Sequence, residues 1–250
     1  MLVVLWTLLS VAFALPADAR EALLAVDARA RGFESVRFAA VRVTEQNNIR
    51  TEERWAYASE AGGHFRVDYV GDTPRRIACD GRVLWDYVPA LNAAQRVDLL
   101  ALPSEDRAKI LGGVLSRVSI PNLRTGIDAA NMSEVRWGED GSHEGRATRT
   151  VLATDAKGGR LRFVLDAEHG YLVSSLIEEN GVFVVSTEGH SFREVAPDLW
   201  APMQVTSTAP APGGKVRVEL SLIQLVIGQD LPDHLFELSL DPTVQVKTVP

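Results

Sequence analysis

A mainly β protein built on a strongly curved antiparallel sheet is what the sequence predicts, and three observations point to it. From Phe33 onward apolar residues recur with a period of two, as in Phe65-Arg66-Val67-Asp68-Tyr69, the spacing of strands with one face buried. Turn residues, including Gly62-Gly63, Gly158-Gly159 and Gly213-Gly214, separate the runs at hairpin intervals. Helical periodicity is confined to two stretches. So many short strands need a barrel or a strongly curved sheet to manage their edges.

The elements follow in order. Residues 1–17 carry no charged side chain and precede Ala17-Asp18-Ala19, a small-x-small cleavage pattern. The run is shorter than the roughly 20 residues of a membrane-spanning helix, so residues 1–19 read as a signal peptide cleaved near Ala19. An uncleaved anchor is the alternative, because the basic start of a signal peptide is missing. Residues 20–250 then form a single domain. Residues 20–31 place Leu23, Val26 and Ala30 on one helical face before Gly32. Strands are expected at 34–45, 49–59, 63–70, 74–79, 82–88, 94–99, 132–137, 146–155, 160–166, 171–179, 181–192, 199–208, 215–226 and 235–239. A helix capped by Ser104 carries Ile110, Leu111, Val114, Leu115 and Val118 on one face and stops before Pro121. Gly112-Gly113 in its middle weakens it by about 1 kcal/mol per residue, so it is either a mobile lid or a fixed core helix. Residues 121–145 are the most loop-like.

Composition narrows the function. With 46 % hydrophobic and 24 % charged residues, the chain has the balance of a globular protein rather than a disordered one. A net charge of −7 argues against nucleic acid as a partner. One cysteine, Cys79, excludes an internal disulfide and a cysteine-rich zinc site, and it reads as a buried thiol at a strand end. His64, His143, His169, His190 and His234 are dispersed without metal-ligand spacing, so no metal or other cofactor is expected. Gly189-His190-Ser191-Phe192-Arg193 lacks the closing glycine of a nucleophile elbow. Glu52/Glu53 and Glu178/Glu179 point to opposite faces of their strands. The chain is therefore read as a non-enzyme, unless His169, His190 and a carboxylate converge in space.

Alternation supplies the positive clue. Trp55 and Tyr57 share one face of a strand; Phe65, Val67 and Tyr69 share a face of the next; Trp85 and Tyr87 do so after the Asp80-Gly81 turn. These strands are expected to turn their large side chains to one common side, with Arg54, Arg66, Asp68, Arg82 and Asp86 on the other, Leu84 being the apolar exception there. Two short helices are all the chain offers to cover that side, so the helices fill the hollow or a ligand does.

The run Cys79-Asp80-Gly81-Arg82-Val83-Leu84-Trp85-Asp86-Tyr87-Val88-Pro89 resembles the D-G-x-x-L-W-x-Y-x-P hairpin of the periplasmic lipoprotein-carrier (LolA-like) superfamily. Arg54-Trp55-Ala56-Tyr57, Phe65 to Tyr69, Leu165 to Tyr171, Leu199-Trp200-Ala201-Pro202, Leu235 to Leu238 and Pro242 to Val246 match in the same order. The superfamily also contains lipoprotein-receptor and envelope-stress sensor domains. The resemblance implies an open β half-barrel lidded by helices that carries acyl chains in its concave apolar face. Where the carriers have Arg-Pro after the tryptophan strand this chain has Ala58-Ser59-Glu60, so no latch residue is carried over. The expected protein is a periplasmic monomer binding lipid or lipoprotein acyl chains. Trp55, Tyr57, Phe65, Val67, Tyr69, Trp85 and Tyr87 line its cavity, and Leu111, Val114 and Leu115 lie on the lid. The alternative is an envelope sensor domain on the same fold, whose partner is an envelope membrane protein.

Overall fold

The computed structural model describes residues 15–32, 34–115, 127 and 129–249. Helix α1 (Ala19–Arg31) is capped by Asp18, whose carboxylate accepts from the backbone N–H groups of Arg20 and Glu21. Strands β1 (Ser35–Gln46), β2 (Ile49–Glu60), β3 (His64–Val70), β4 (Arg75–Asp80), β5 (Val83–Val88) and β6 (Ala93–Asp98) follow, then helix α2 (Ser104–Leu115). The second series is β7 (Ser133–His143), β8 (Arg146–Thr154), β9 (Arg160–Asp166), β10 (Leu172–Glu179), β11 (Val182–Ala196), β12 (Leu199–Ala211) and β13 (Gly214–Ile227), with β14 (Gln245–Val249) last.

All fourteen strands join one sheet in the order β14-β6-β5-β4-β3-β2-β1-β13-β12-β11-β10-β9-β8-β7. The chain runs outward from β1 to β6 and crosses through α2 to the far edge at β7. It then returns strand by strand until β13 pairs with β1. Neighbours are antiparallel except β14, which lies parallel to β6. The edges β14 and β7 do not meet, so the curved sheet remains an open half-barrel. Among the described residues no helix is long and apolar enough to cross a membrane.

Two of the expectations are corrected. Residues 235–239 do not form a strand: Asp233–Phe236 is a short 3-10 turn, and the terminal strand is β14. The reason is packing. Phe236 is driven into the sheet's outer side, 1 % exposed, with its ring 5.6 Å from that of His64, and Arg66 Nη1 donates to the Leu235 carbonyl at 3.1 Å. The loop expected to continue to residue 145 instead yields to β7, which reaches His143 and pairs with β8 around a two-residue turn, Glu144-Gly145, at φ 48° and 79°. The earlier part of that loop, residues 121–126 and 128, lies outside the described residues.

Two hydrophobic cores form on the same side of the sheet. Leu23 and Val26 of α1 pack with Val151, Leu161, Phe163 and Leu165 of β8 and β9. Ile110, Leu111 and Val114 of α2 pack against the larger cluster of β1–β6, β12 and β13. Phe236 anchors the C-terminal crossing on the opposite side. Phe236→Ala is expected to lower unfolding stability by about 3–5 kcal/mol, the usual cost of emptying a buried aromatic site, measured by urea denaturation. A change under about 1 kcal/mol would mean that the crossing is held by other contacts.

Candidate functional site

Residues directly opposite each other in neighbouring strands point to the same face, so the register defines the covered side row by row. One row is Phe38, Tyr57, Val67, Ile77 and Asp86; the next is Val36, Ser59, Phe65, Cys79, Leu84 and Val97; another is Leu222, Ala40, Trp55, Tyr69 and Arg75. Trp55, Tyr57, Phe65 and Val67 therefore share one face and are all buried there, Val67 completely, while Tyr69 packs at its margin. Leu111 and Val114 of α2 lie against the same cluster half-buried. The side chain of Leu115, and Val118, lie outside the described residues.

Trp85 and Tyr87 are not on this face. Cys79 pairs with Phe65 on one side and Leu84 on the other, so Leu84, Asp86 and Val88 share the inner parity while Trp85 and Tyr87 project outward beside Ala78 and Arg76. Hairpin register fixes parity for the whole strand, and the connection through Asp80, Gly81 and Arg82 sets it here. Asp80 accepts from the N–H groups of Arg82 and Val83 at 2.9 and 2.6 Å. Leu84, an apolar residue out of phase with Trp85, was the signal in the sequence. Outside, Trp85 meets the guanidinium of Arg96 at 5.9 Å from its ring centre.

Leu84 joins the apolar floor, completed by Phe38, Ile77, Val205, Leu220 and Leu222, which were not singled out from the sequence. The alternation Val36, Phe38, Ala40 in β1 carried part of that information. At the end of the face nearest the β1–β2 hairpin the character changes to charge. Arg42 pairs with Glu53 and lies 5.3 Å above the Trp55 ring, and Arg75 donates to Asp86 at 2.7 Å. That bond, larger than the opposing cost of burial, holds the Arg75 pKa above its ordinary value. The indole N–H of Trp55 and the hydroxyl of Tyr69 are buried without a hydrogen-bond partner among the described residues, and such atoms are costly to leave unpaired.

On β10–β12 the same side carries Ser175, Thr187 and Ser207 in register, with the hydroxyls of Thr187 and Ser207 3.1 Å apart. This polar strip lies between the two cores. His169 and His190, whose convergence would have pointed to an enzyme, are engaged separately. His169 stacks on Trp200 at 4.7 Å, and His190 neighbours Glu144. Burial and the nearby Asp166 carboxylate raise the Tyr171 pKa above its ordinary value. Ser191 sits inside β11 at φ 54°, away from the strand-to-helix turn that a nucleophile elbow requires.

No protein-family model matches the sequence, and no curated protein matches it. Solved structures do match. A DUF1329 family protein from Desulfovibrio piger is 13 % identical, with 88 % of this chain and 95 % of that chain covered at a TM-score of 0.58. A LolA superfamily protein from Nitrosomonas europaea is 12 % identical, with 89 % and 98 % covered and a TM-score of 0.55. A putative outer membrane lipoprotein-sorting protein domain from Vibrio parahaemolyticus is 12 % identical, with 87 % and 95 % covered and a TM-score of 0.57.

Cys79 reports on access to the inner face, because it is fully buried there and burial raises its thiol pKa. At about pH 8 iodoacetamide is expected to leave the native chain unlabelled and to modify Cys79 once urea unfolds it. Native labelling as fast as that of the unfolded chain would contradict a closed inner face. Register, helical covers and solved likenesses converge on the fold: an open, helix-covered half-barrel of the LolA-like type.

Proposed function

We propose that this chain is an exported periplasmic carrier that holds lipid or lipoprotein acyl chains on the inner face of its half-barrel. Trp55, Tyr57, Phe65, Val67 and Tyr69 supply the floor, and Leu111 and Val114 of α2 supply the cover. Trp85 and Tyr87, on the outer side, are not part of it. Each methylene removed from water contributes about 0.8 kcal/mol, so an acyl chain can be held without covalent chemistry and without catalytic groups. The LolA superfamily and lipoprotein-sorting likenesses support the reading at the level of the fold.

The observation that carries it is the construction of α2. Gly112 and Gly113 are exposed, and among the described residues a Cβ added at either would meet nothing within 4 Å. Packing therefore does not require glycine there, and each lowers helix propensity by about 1 kcal/mol relative to alanine. The helix is thus a weak cover over buried aromatics. Because Trp55, Tyr57, Phe65 and Val67 are almost wholly removed from solvent, a ligand reaches them only when that cover shifts.

Export belongs to the same reading, with residues 1–19 as the signal peptide and residues 20–250 as one LolA-like domain. Cleavage near Ala19 falls at the start of α1. Cleavage after Ala19 would remove the Asp18 cap, a contact of about 1 kcal/mol.

Delipidated protein titrated with a fluorescent fatty-acyl probe tests the carrier directly. Saturable binding is expected, weakened roughly 100-fold or more by Trp55→Asp and unchanged by Trp85→Asp on the outer face. Absence of saturable binding, or equal binding by a folded Trp55→Asp variant, would sink the reading. A protein that co-purifies in stoichiometric amount without lipid would favour the sensor alternative.

A second test addresses the cover. Gly112→Ala with Gly113→Ala is expected to raise thermal stability and to slow probe uptake several-fold, because a firmer helix opens less often. Stopped-flow fluorescence gives the rate; uptake unchanged in a stabilised variant would remove α2 from the entry step.

A further inference from the structure

Where the β7–β8 hairpin meets β11, folding assembles a group of side chains scattered in the sequence. His143 and Glu144 stand at the tip of the β7–β8 hairpin, and His190 lies in β11, which β9 and β10 separate from β8 in the sheet. One donor atom of each lies within 4.8 Å of the others. The two imidazole rings are 5.6 Å apart, and His190 Nδ1 is 3.2 Å from Glu144 Oε1. Glu188 flanks them, its Oε1 lying 3.3 Å from His143 Nδ1. We propose that His143, Glu144 and His190 form a binding site for a divalent transition-metal ion of the zinc class.

Hydrogen bonding around His143 favours a cation. Its Nε2 lies 3.1 Å from the Gly189 carbonyl oxygen, which can only accept, so Nε2 carries the ring proton. In the neutral ring Nδ1 then carries the lone pair, and it faces a Glu188 carboxylate oxygen. Two electron-rich atoms at that distance repel unless a proton or a metal ion reconciles them. A ligating imidazole that donates its other N–H to a backbone carbonyl is also the usual outer-shell arrangement of protein metal sites. The arginine of the same turn does not neutralise the cluster: Arg146 is directed to Asp166 at 3.6 Å and to the Trp200 ring at 4.9 Å.

Two imidazoles with one carboxylate select zinc-class ions over calcium or magnesium, which prefer all-oxygen shells. Donors bonded tetrahedrally to zinc at about 2.0–2.1 Å stand roughly 3.3–3.4 Å apart, so closure by up to about 1.5 Å through side-chain rotation completes the set. The side chains of His143 and His190 are 18 % and 28 % exposed, enough for an ion to enter from water. A fourth position remains for water or Glu188. Bound metal would tie the edge hairpin β7–β8 to β11, fastening the half of the sheet that α1 covers.

The test uses the full mature chain without a histidine tag, treated with chelator and titrated with Zn²⁺ by calorimetry and with Co²⁺ by visible absorption. One equivalent is expected to bind at micromolar or lower concentration, with cobalt d–d bands, and the thermal midpoint is expected to rise by several degrees with excess Zn²⁺. His143→Ala and His190→Ala should each weaken binding at least tenfold, while His234→Ala leaves it unchanged. Glu144→Gln gives a milder variant should a histidine change disturb folding, and it too should weaken binding. Failure of the wild-type chain to bind one equivalent, or binding undiminished when both His143 and His190 are replaced, overturns the proposal.

Discussion

Covering one continuous face of a fourteen-stranded sheet is the constraint on which the rest of the structure depends. Strand pairing satisfies the backbone along the ladder, but alternation leaves every second side chain on a surface that must be removed from water. A sandwich would supply a second sheet, and a closed barrel would fill itself. This chain does neither, since β14 and β7 remain apart. Burial of the inner face falls to α1 over β7–β10 and to α2 over the aromatic floor of β1–β6.

The two covers differ in how firmly they are built. α1 buries Ala22 and Leu23 completely. It is also tied to the β9–β10 connection by Arg29, whose guanidinium donates to the carbonyls of His169 and Gly170 at 2.8 and 3.1 Å. α2 presents half-buried apolar residues to its floor and carries two exposed glycines. One half of the sheet is thus fastened and the other is held by apolar contact, the asymmetry on which the proposed carrier reading relies. The cluster at His143, Glu144 and His190 falls on the fastened half.

Much of this was legible in the residues because period and turn chemistry are local properties. Thirteen expected strands have counterparts, within a few residues except at β7 and at the far ends of β11 and β12, since glycine and asparagine turns punctuate a period of two. Parity across a turn was less legible. Trp85 and Tyr87 look like partners of Phe65 and Tyr69 until the pairing of Cys79 with Leu84 turns them outward. Phe236 sits in an apolar run that resembles a strand, yet its tertiary contact with the outer face decides its conformation. His143 and His190 are 47 residues apart in numbering, and no spacing rule links them; only the folded chain brings them together.

Native mass spectrometry of the chain purified without detergent from its own envelope fraction tests the central claim, that the inner face accepts a hydrocarbon tail, most directly. The account predicts a population heavier than the polypeptide by the mass of a lipid or an acylated chain, released by organic solvent. A sample that is entirely ligand-free, and that stays so after incubation with lipid vesicles, would contradict it.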